Sequence, residues 1–165
     1  MKLKYYILLL LTFSITATAQ LSMPKVFSSH MVLQRDMEIP VWGNAVPGSE
    51  VTVQFDDKVI TGLTSESGKW MVHLPQCKAG GPYRLVVFQT EKPGERIEYD
   101  DILIGDVWLA SGQSNMELQV QQARDSKEEI KQANYPDIRF FNVPHQKSVK
   151  PETDISGGSW QVCDS

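Results

Sequence analysis

Ile102-Leu103-Ile104-Gly105-Asp106-Val107-Trp108-Leu109-Ala110-Ser111-Gly112-Gln113-Ser114-Asn115-Met116 is the stretch on which the reading of this 165-residue chain turns. The apolar run over residues 102–110 predicts one buried strand and is too short to cross a membrane. It gives way to Ser111, Gly112, Gln113, Ser114 and Asn115, small and polar residues suited to a tight turn. A serine on such a turn, at the C-terminal end of a strand, stands where open parallel sheets hold their ligands. Backbone N–H groups that follow such a turn favour developing negative charge. Ser114 is therefore the candidate nucleophile. On composition alone, the same residues also describe an ordinary core strand followed by a turn.

Upstream, residues 21–100 carry the punctuation of a β-domain. Turn signals fall at Val46-Pro47-Gly48, Asp56-Asp57, Ser67-Gly68, Gly80-Gly81-Pro82 and Lys92-Pro93-Gly94. Between them lie short β-forming segments at residues 39–42, 51–55, 70–74, 83–88 and 97–99. Val51, Val53 and Phe55 alternate with Thr52 and Gln54, the period of a strand with one wet face. Turns about every ten residues predict an antiparallel β-sandwich of jelly-roll type over residues 20–100. Trp42 and Trp70 suit its core, although either ring offers a face on which a sugar stacks. His30 and His73 are expected to be structural or solvent-facing.

The first nineteen residues read as a signal peptide. Lys2 and Lys4 form a basic start, residues 5–15 are apolar apart from Thr12 and Ser14, and Ala17-Thr18-Ala19 fits a cleavage site before Gln20. Export to the periplasm or beyond is the expectation, with no membrane association after cleavage. The formal charge is −4, and acids and bases are interspersed without a basic stripe, which argues against nucleic acid as a partner. Cys77 and Cys163, the two cysteines, lie in no metal-ligand spacing, so no structural zinc is expected. An oxidising compartment permits a bridge between them without implying one.

Downstream of Ser114, Ser126-Lys127-Glu128-Glu129 is a capping-box pattern that predicts a helix over residues 126–133, with Ile130 and Ala133 inward and Asn134 and Pro136 ending it. Residues 138–143 read as a second strand. Strand, helix and strand in that order predict one right-handed βαβ unit within residues 101–165.

The block from Gly105 to Glu117 resembles the nucleophile block of the sialate O-acetylesterases, within the SGNH (GDSL-like) hydrolase superfamily. Its Gly-Gln-Ser-Asn-Met centre is shared with acetylxylan esterases, so it specifies the superfamily better than the substrate. Phe27-Ser28-Ser29-His30-Met31-Val32-Leu33-Gln34-Arg35, Val41-Trp42-Gly43, Gly68-Lys69-Trp70 and Gly81-Pro82-Tyr83 are similar to the N-terminal β-domain of the same esterases. The resemblance implies removal of O-acetyl groups from sialic acids through an acetyl-serine on Ser114, without metal or cofactor. It also implies a base, a histidine three residues after an aspartate, and oxyanion donors from a glycine and an asparagine of later blocks.

Of these parts, the chain supplies Ser114 and its own N–H. Phe27, Trp70 and Asn142 stand three residues before His30, His73 and His145, so no Asp-x-x-His is present. His145 remains an alternative base; Asp106 is expected to satisfy backbone groups near its strand. The resemblance implies the front part of an esterase, with residues 101–165 the first part of an incomplete α/β SGNH hydrolase domain, inactive alone and loose in its C-terminal third. A truncated gene, a split reading frame and a complementing C-terminal segment encoded elsewhere all stand as its origin. Two other readings stand beside it: an esterase for acetylated xylan or another glycan, and a non-catalytic sugar-binding β-module with a vestigial hydrolase tail.

Overall fold

The computed structural model describes residues 20–164; the expected signal peptide at residues 1–19 lies outside the described residues. Among the described residues the strands are β1 (Val32–Gln34), β2 (Ile39–Asn44), β3 (Glu50–Phe55), β4 (Lys58–Leu63), β5 (Lys69–Leu74), β6 (Gly80–Gln89), β7 (Arg96–Gly105), β8 (Tyr135–Phe141) and β9 (Trp160–Cys163), with one α-helix, α1 (Ser126–Gln132), before β8. No helix among them is long and apolar enough to cross a membrane. The five β-forming segments predicted upstream all become strands. β1 and β4 are additional strands, of three and six residues.

Strands β1-β7-β6-β3-β4 form one curled sheet in that order, and β2-β5 form a two-stranded ribbon. Alternation explains the packing. On β5, Trp70, Val72 and Leu74 are buried, while Lys69, Met71 and His73 face solvent. Val41 and Leu74 from the ribbon join Val51, Val53, Phe55, Leu85, Val87 and Ile102 from the sheet in one core, none more than 1% exposed. Burying each such side chain contributes about 1.5–3 kcal/mol. Thr52 points the other way, and its hydroxyl is satisfied by Thr90 at 2.7 Å. The sheet is mixed rather than purely antiparallel, because β1 runs parallel to β7 in the register Val32↔Leu103 and Gln34↔Gly105.

That register corrects the strand expected over residues 102–110. β7 continues through residue 100, so Ile102 and Ile104 belong to the core of the upstream sheet. The strand stops at Gly105 because its neighbour β1 ends opposite, at Gln34. Beyond that point there is no ladder to join. Trp108 and Leu109 are 87% and 92% exposed.

The βαβ crossover is likewise not formed. β8 pairs antiparallel with β9, through Phe141↔Trp160, Phe140↔Gln161 and Arg139↔Val162. Over Ile102–Gly105, β7 already has β6 on one edge and β1 on the other, which leaves no free edge for a parallel partner. The helix forms where expected, but Asp125, with φ 58°, is its cap residue and Ser126 is its first turn. Ile130, expected to face inward, is 40% exposed.

The C-terminal third is tied back to the sheet by polar contacts. Trp160 Nε1 donates to the Val26 carbonyl at 2.8 Å, and Lys25 Nζ donates to the Ser156 carbonyl at 2.8 Å. The Arg139 guanidinium lies 3.0 Å from Asp101 Oδ2, the acceptor of an ion pair on an arginine side chain only 5% exposed. Trp160 packs against the core, whereas Leu118, Val120, Ile138 and Val143 stay in solvent. Cys77 and Cys163 are unbridged.

Candidate functional site

The site begins where β7 ends. Arg35 N–H donates to the Gly105 carbonyl at 2.9 Å, and Gln34 Oε1 accepts from the Val107 N–H at 2.8 Å. Between these contacts the Arg35 guanidinium forks onto Asp106, with Nε to Oδ1 at 2.8 Å and Nη2 to Oδ2 at 3.2 Å. Asp106 therefore lies just past the strand and is held by a side chain, not by the backbone groups expected from the sequence. The Arg35 hydrogen bond holds the Asp106 carboxyl below the usual carboxylate range, and Asp106 in turn raises Arg35. Asp36 is lowered in the same way, first by its hydrogen bond from Lys78 and also by Arg35.

From there an extended, exposed segment runs to Ser114, the first residue of a 3-10 turn, Ser114–Glu117, closed by Met116 N–H to the Gln113 carbonyl at 2.9 Å. A Cβ at Gly112 would lie 3.0 Å from Met116 Cγ, a close approach to an exposed side chain. Ser114 is exposed, and among the described residues its hydroxyl has no hydrogen-bond partner. Its N–H, at the start of the turn, has no backbone acceptor there either.

Ser114 lines a cleft of about 750 Å³, together with Val32, Asp106 and Trp108 on one side and Asn142, His145 and Trp160 on the other. The far wall is the end of β8 and the residues that follow it. Arg139, the last buried anchor of that strand, fixes it to Asp101 on β7. The serine hydroxyl is thus open to a cleft and not sealed in the core.

The three histidines fall in three places. His73 projects outward from β5. His30 Nδ1 lies 2.6 Å from Asp101 Oδ2, so Asp101 bridges an imidazole and the buried guanidinium of Arg139. No local pattern marks this cluster, because its members are 71 and 38 residues apart. His145 reaches the Ser114 cleft and pairs through Nε2 with Glu117 Oε1, although no hydrogen bond joins it to Ser114 among the described residues. Trp70 is buried in the core, and Trp42 packs edge-on against Phe27 with ring centroids 4.7 Å apart.

No family model matches the chain. Among known proteins it is similar to the sialate O-acetylesterase of Rattus norvegicus, with 34% identity over 138 residues, 78% of this chain and 26% of that protein. The sialate O-acetylesterase of Homo sapiens is 37% identical over 125 residues, 70% of this chain and 24% of that protein. Among solved structures, a carbohydrate acetylesterase from Xanthomonas citri superposes with a TM-score of 0.83 at 40% identity, covering 87% of this chain and 33% of that one. The chain thus spans about a quarter of the length of the curated relatives it matches. It is a relative of the sialate O-acetylesterases, matched over most of its own length and a minor part of theirs.

Proposed function

We propose that this chain carries the nucleophile of a carbohydrate O-acetylesterase. The observation that carries the reading is the Ser114 hydroxyl, exposed and unengaged at the wall of a cleft, in a chain related to enzymes of that name. Ser114 Oγ attacks the acetyl carbonyl and its proton passes to a base. The sugar–oxygen bond to the acyl carbon breaks, the sugar hydroxyl leaves with a proton, and water then releases acetate from the acetyl-serine. The Ser114 N–H supplies one oxyanion donor. Sialic acids bearing O-acetyl groups are the proposed substrates, following the relatives' names, with other acetylated glycans such as xylan as the alternative.

The base in this reading comes from polypeptide beyond these residues, together with the remaining oxyanion donors. Removing a triad member elsewhere leaves only about 10³–10⁴-fold catalysis over water. The chain alone is therefore inactive in this account. Residues 1–19 direct it out of the cytoplasm. One observation favours a second reading: the His145–Glu117 pair stands in the same cleft, an imidazole already oriented by a carboxylate. In that case the base lies within the chain.

A fusion separates the outcomes. The chain is joined to the part of the Xanthomonas citri acetylesterase it does not match, and acetate release is measured on O-acetylated sialic acid and on acetylated xylan. The proposal expects release by the fusion, loss of about 10³-fold or more in Ser114→Ala, and little change in His145→Ala. An unchanged Ser114→Ala overturns it. Acetate release by the unfused chain that disappears in His145→Ala establishes the second reading instead.

A further inference from the structure

Two sequence blocks that lie 71 residues apart meet at the root of the segment bearing Ser114. Gln34 and Arg35 are not among the described residues that line the Ser114 cleft, yet between them they hold three consecutive residues, Gly105, Asp106 and Val107, as these leave the sheet. We propose that Gln34 and Arg35 are positioning residues for the nucleophile, fixing the direction in which residues 107–114 leave β7. This rests on the reading of Ser114 given above.

Energetics argue for a geometric role. The Arg35–Asp106 pair is exposed, with side chains 41% and 51% accessible, and exposed pairs add little to stability. A two-pronged guanidinium–carboxylate contact does, however, set orientation, which a single point charge does not. The segment it aims has little else to hold it. Val107, Trp108 and Leu109 are exposed, and no strand pairs with them. Asp106 and Ser114 line the same cleft, so the exit direction at the first decides where the second stands relative to the wall formed by Asn142 and His145. Parallel pairing of β1 with β7 brings both contacts into register, because Gln34 lies opposite Gly105. This also accounts for a strand as short as β1: its C-terminal residues hold the start of the site.

Two measurements test the proposal. Amide exchange by NMR on the chain itself reads the Val107 N–H. Gln34→Ala and Arg35→Gln are each expected to abolish its protection, while the amides of β3 and β6 keep theirs. Steady-state kinetics on the fusion protein read the consequence. A displacement of about 1 Å costs on the order of 10²-fold, so both variants are expected to lower kcat about 10–100-fold with KM within about twofold. Arg35→Lys, which keeps the charge without the fork, is expected to fall between Arg35→Gln and the unaltered protein. Arg84→Gln removes an exposed arginine of comparable setting, paired with Glu98, and is expected to leave kcat unchanged. Loss of Val107 protection with kcat intact overturns the proposal. So does a fall in kcat matched by Arg84→Gln, or one explained by a lower unfolding midpoint. If Ser114→Ala is as active as the unaltered fusion, the assignment of the nucleophile fails, while the Val107 result still reports whether Gln34 and Arg35 hold the segment.

Discussion

Asp101→Ala and Arg139→Met remove opposite ends of one ion pair, and the structure predicts unequal costs. The Arg139 side chain is 5% exposed and the Asp101 side chain 35% exposed. Arg139 reaches Asp101 through Nη2, at 3.2 and 3.0 Å from the two carboxylate oxygens, while its Nε and Nη1 are buried with no partner among the described residues. Taking away the carboxylate strands a guanidinium that water does not reach. Breaking a fully buried pair in this way costs about 3–5 kcal/mol, and the partial exposure of Asp101 brings the expected loss to roughly 2–3 kcal/mol. Taking away the arginine instead leaves a carboxylate that is one-third solvated and still paired with His30, and it also removes two unsatisfied nitrogens. Arg139→Met is therefore expected to fall within about 1 kcal/mol of the unaltered chain. Urea unfolding, followed by tryptophan fluorescence and circular dichroism, measures both. With a slope of about 2 kcal/mol/M, Asp101→Ala lowers the midpoint by roughly 1–1.5 M and Arg139→Met by less than about 0.5 M. Equal shifts, or a larger one in Arg139→Met, would refute the claim that the buried partner sets the cost.

Four further outcomes follow from the geometry. Leu85→Ala, at a fully buried position, is expected to cost about 2–5 kcal/mol in the same unfolding assay. Gly43→Ala places a Cβ 2.1 Å from the Ser22 carbonyl and 2.9 Å from the Trp70 ring, so it should break the Ser22–Asn44 bridge and lower stability by about 1–3 kcal/mol. Asp106 and Asp36 have lowered carboxyl pKa values in the fold, so their stabilising contribution is present above the unfolded value and is lost as pH falls below about 4. Acid unfolding of Arg35→Gln should show a shallower dependence in that window. Tyr99 is raised by burial, so its contribution is present below about pH 10 and is lost on further alkalinisation, which absorbance titration of Tyr99→Phe against the unaltered chain will detect.

What the sequence disclosed depended on how local each signal was. Val51, Val53 and Phe55 announced their strand because alternation is carried by neighbouring residues, and they do face the core. Residues 102–110 misled because a run of apolar residues does not say where the partner strand ends; Gln34, far away in sequence, decides that. The crossover failed for a related reason. Nothing in residues 126–143 reveals that both edges of β7 are already taken by β1 and β6. Ser114, the proposed nucleophile, stands out in the sequence through its neighbours Gly112 and Asn115 and the block around it, and it lines an open cleft. The supports behind it were not legible. Arg35 on Asp106 and Asp101 on Arg139 join residues 71 and 38 positions apart, and no local pattern encodes such pairs.

A covalent bond to Ser114 Oγ is the central event proposed for this chain. Intact-protein and peptide mass spectrometry after exposure of the fusion protein to a fluorophosphonate reads that bond without reference to any sugar. A single adduct on the peptide containing Ser114, absent from Ser114→Ala, is the predicted result. An adduct on another residue, or an undiminished one in Ser114→Ala, would contradict it.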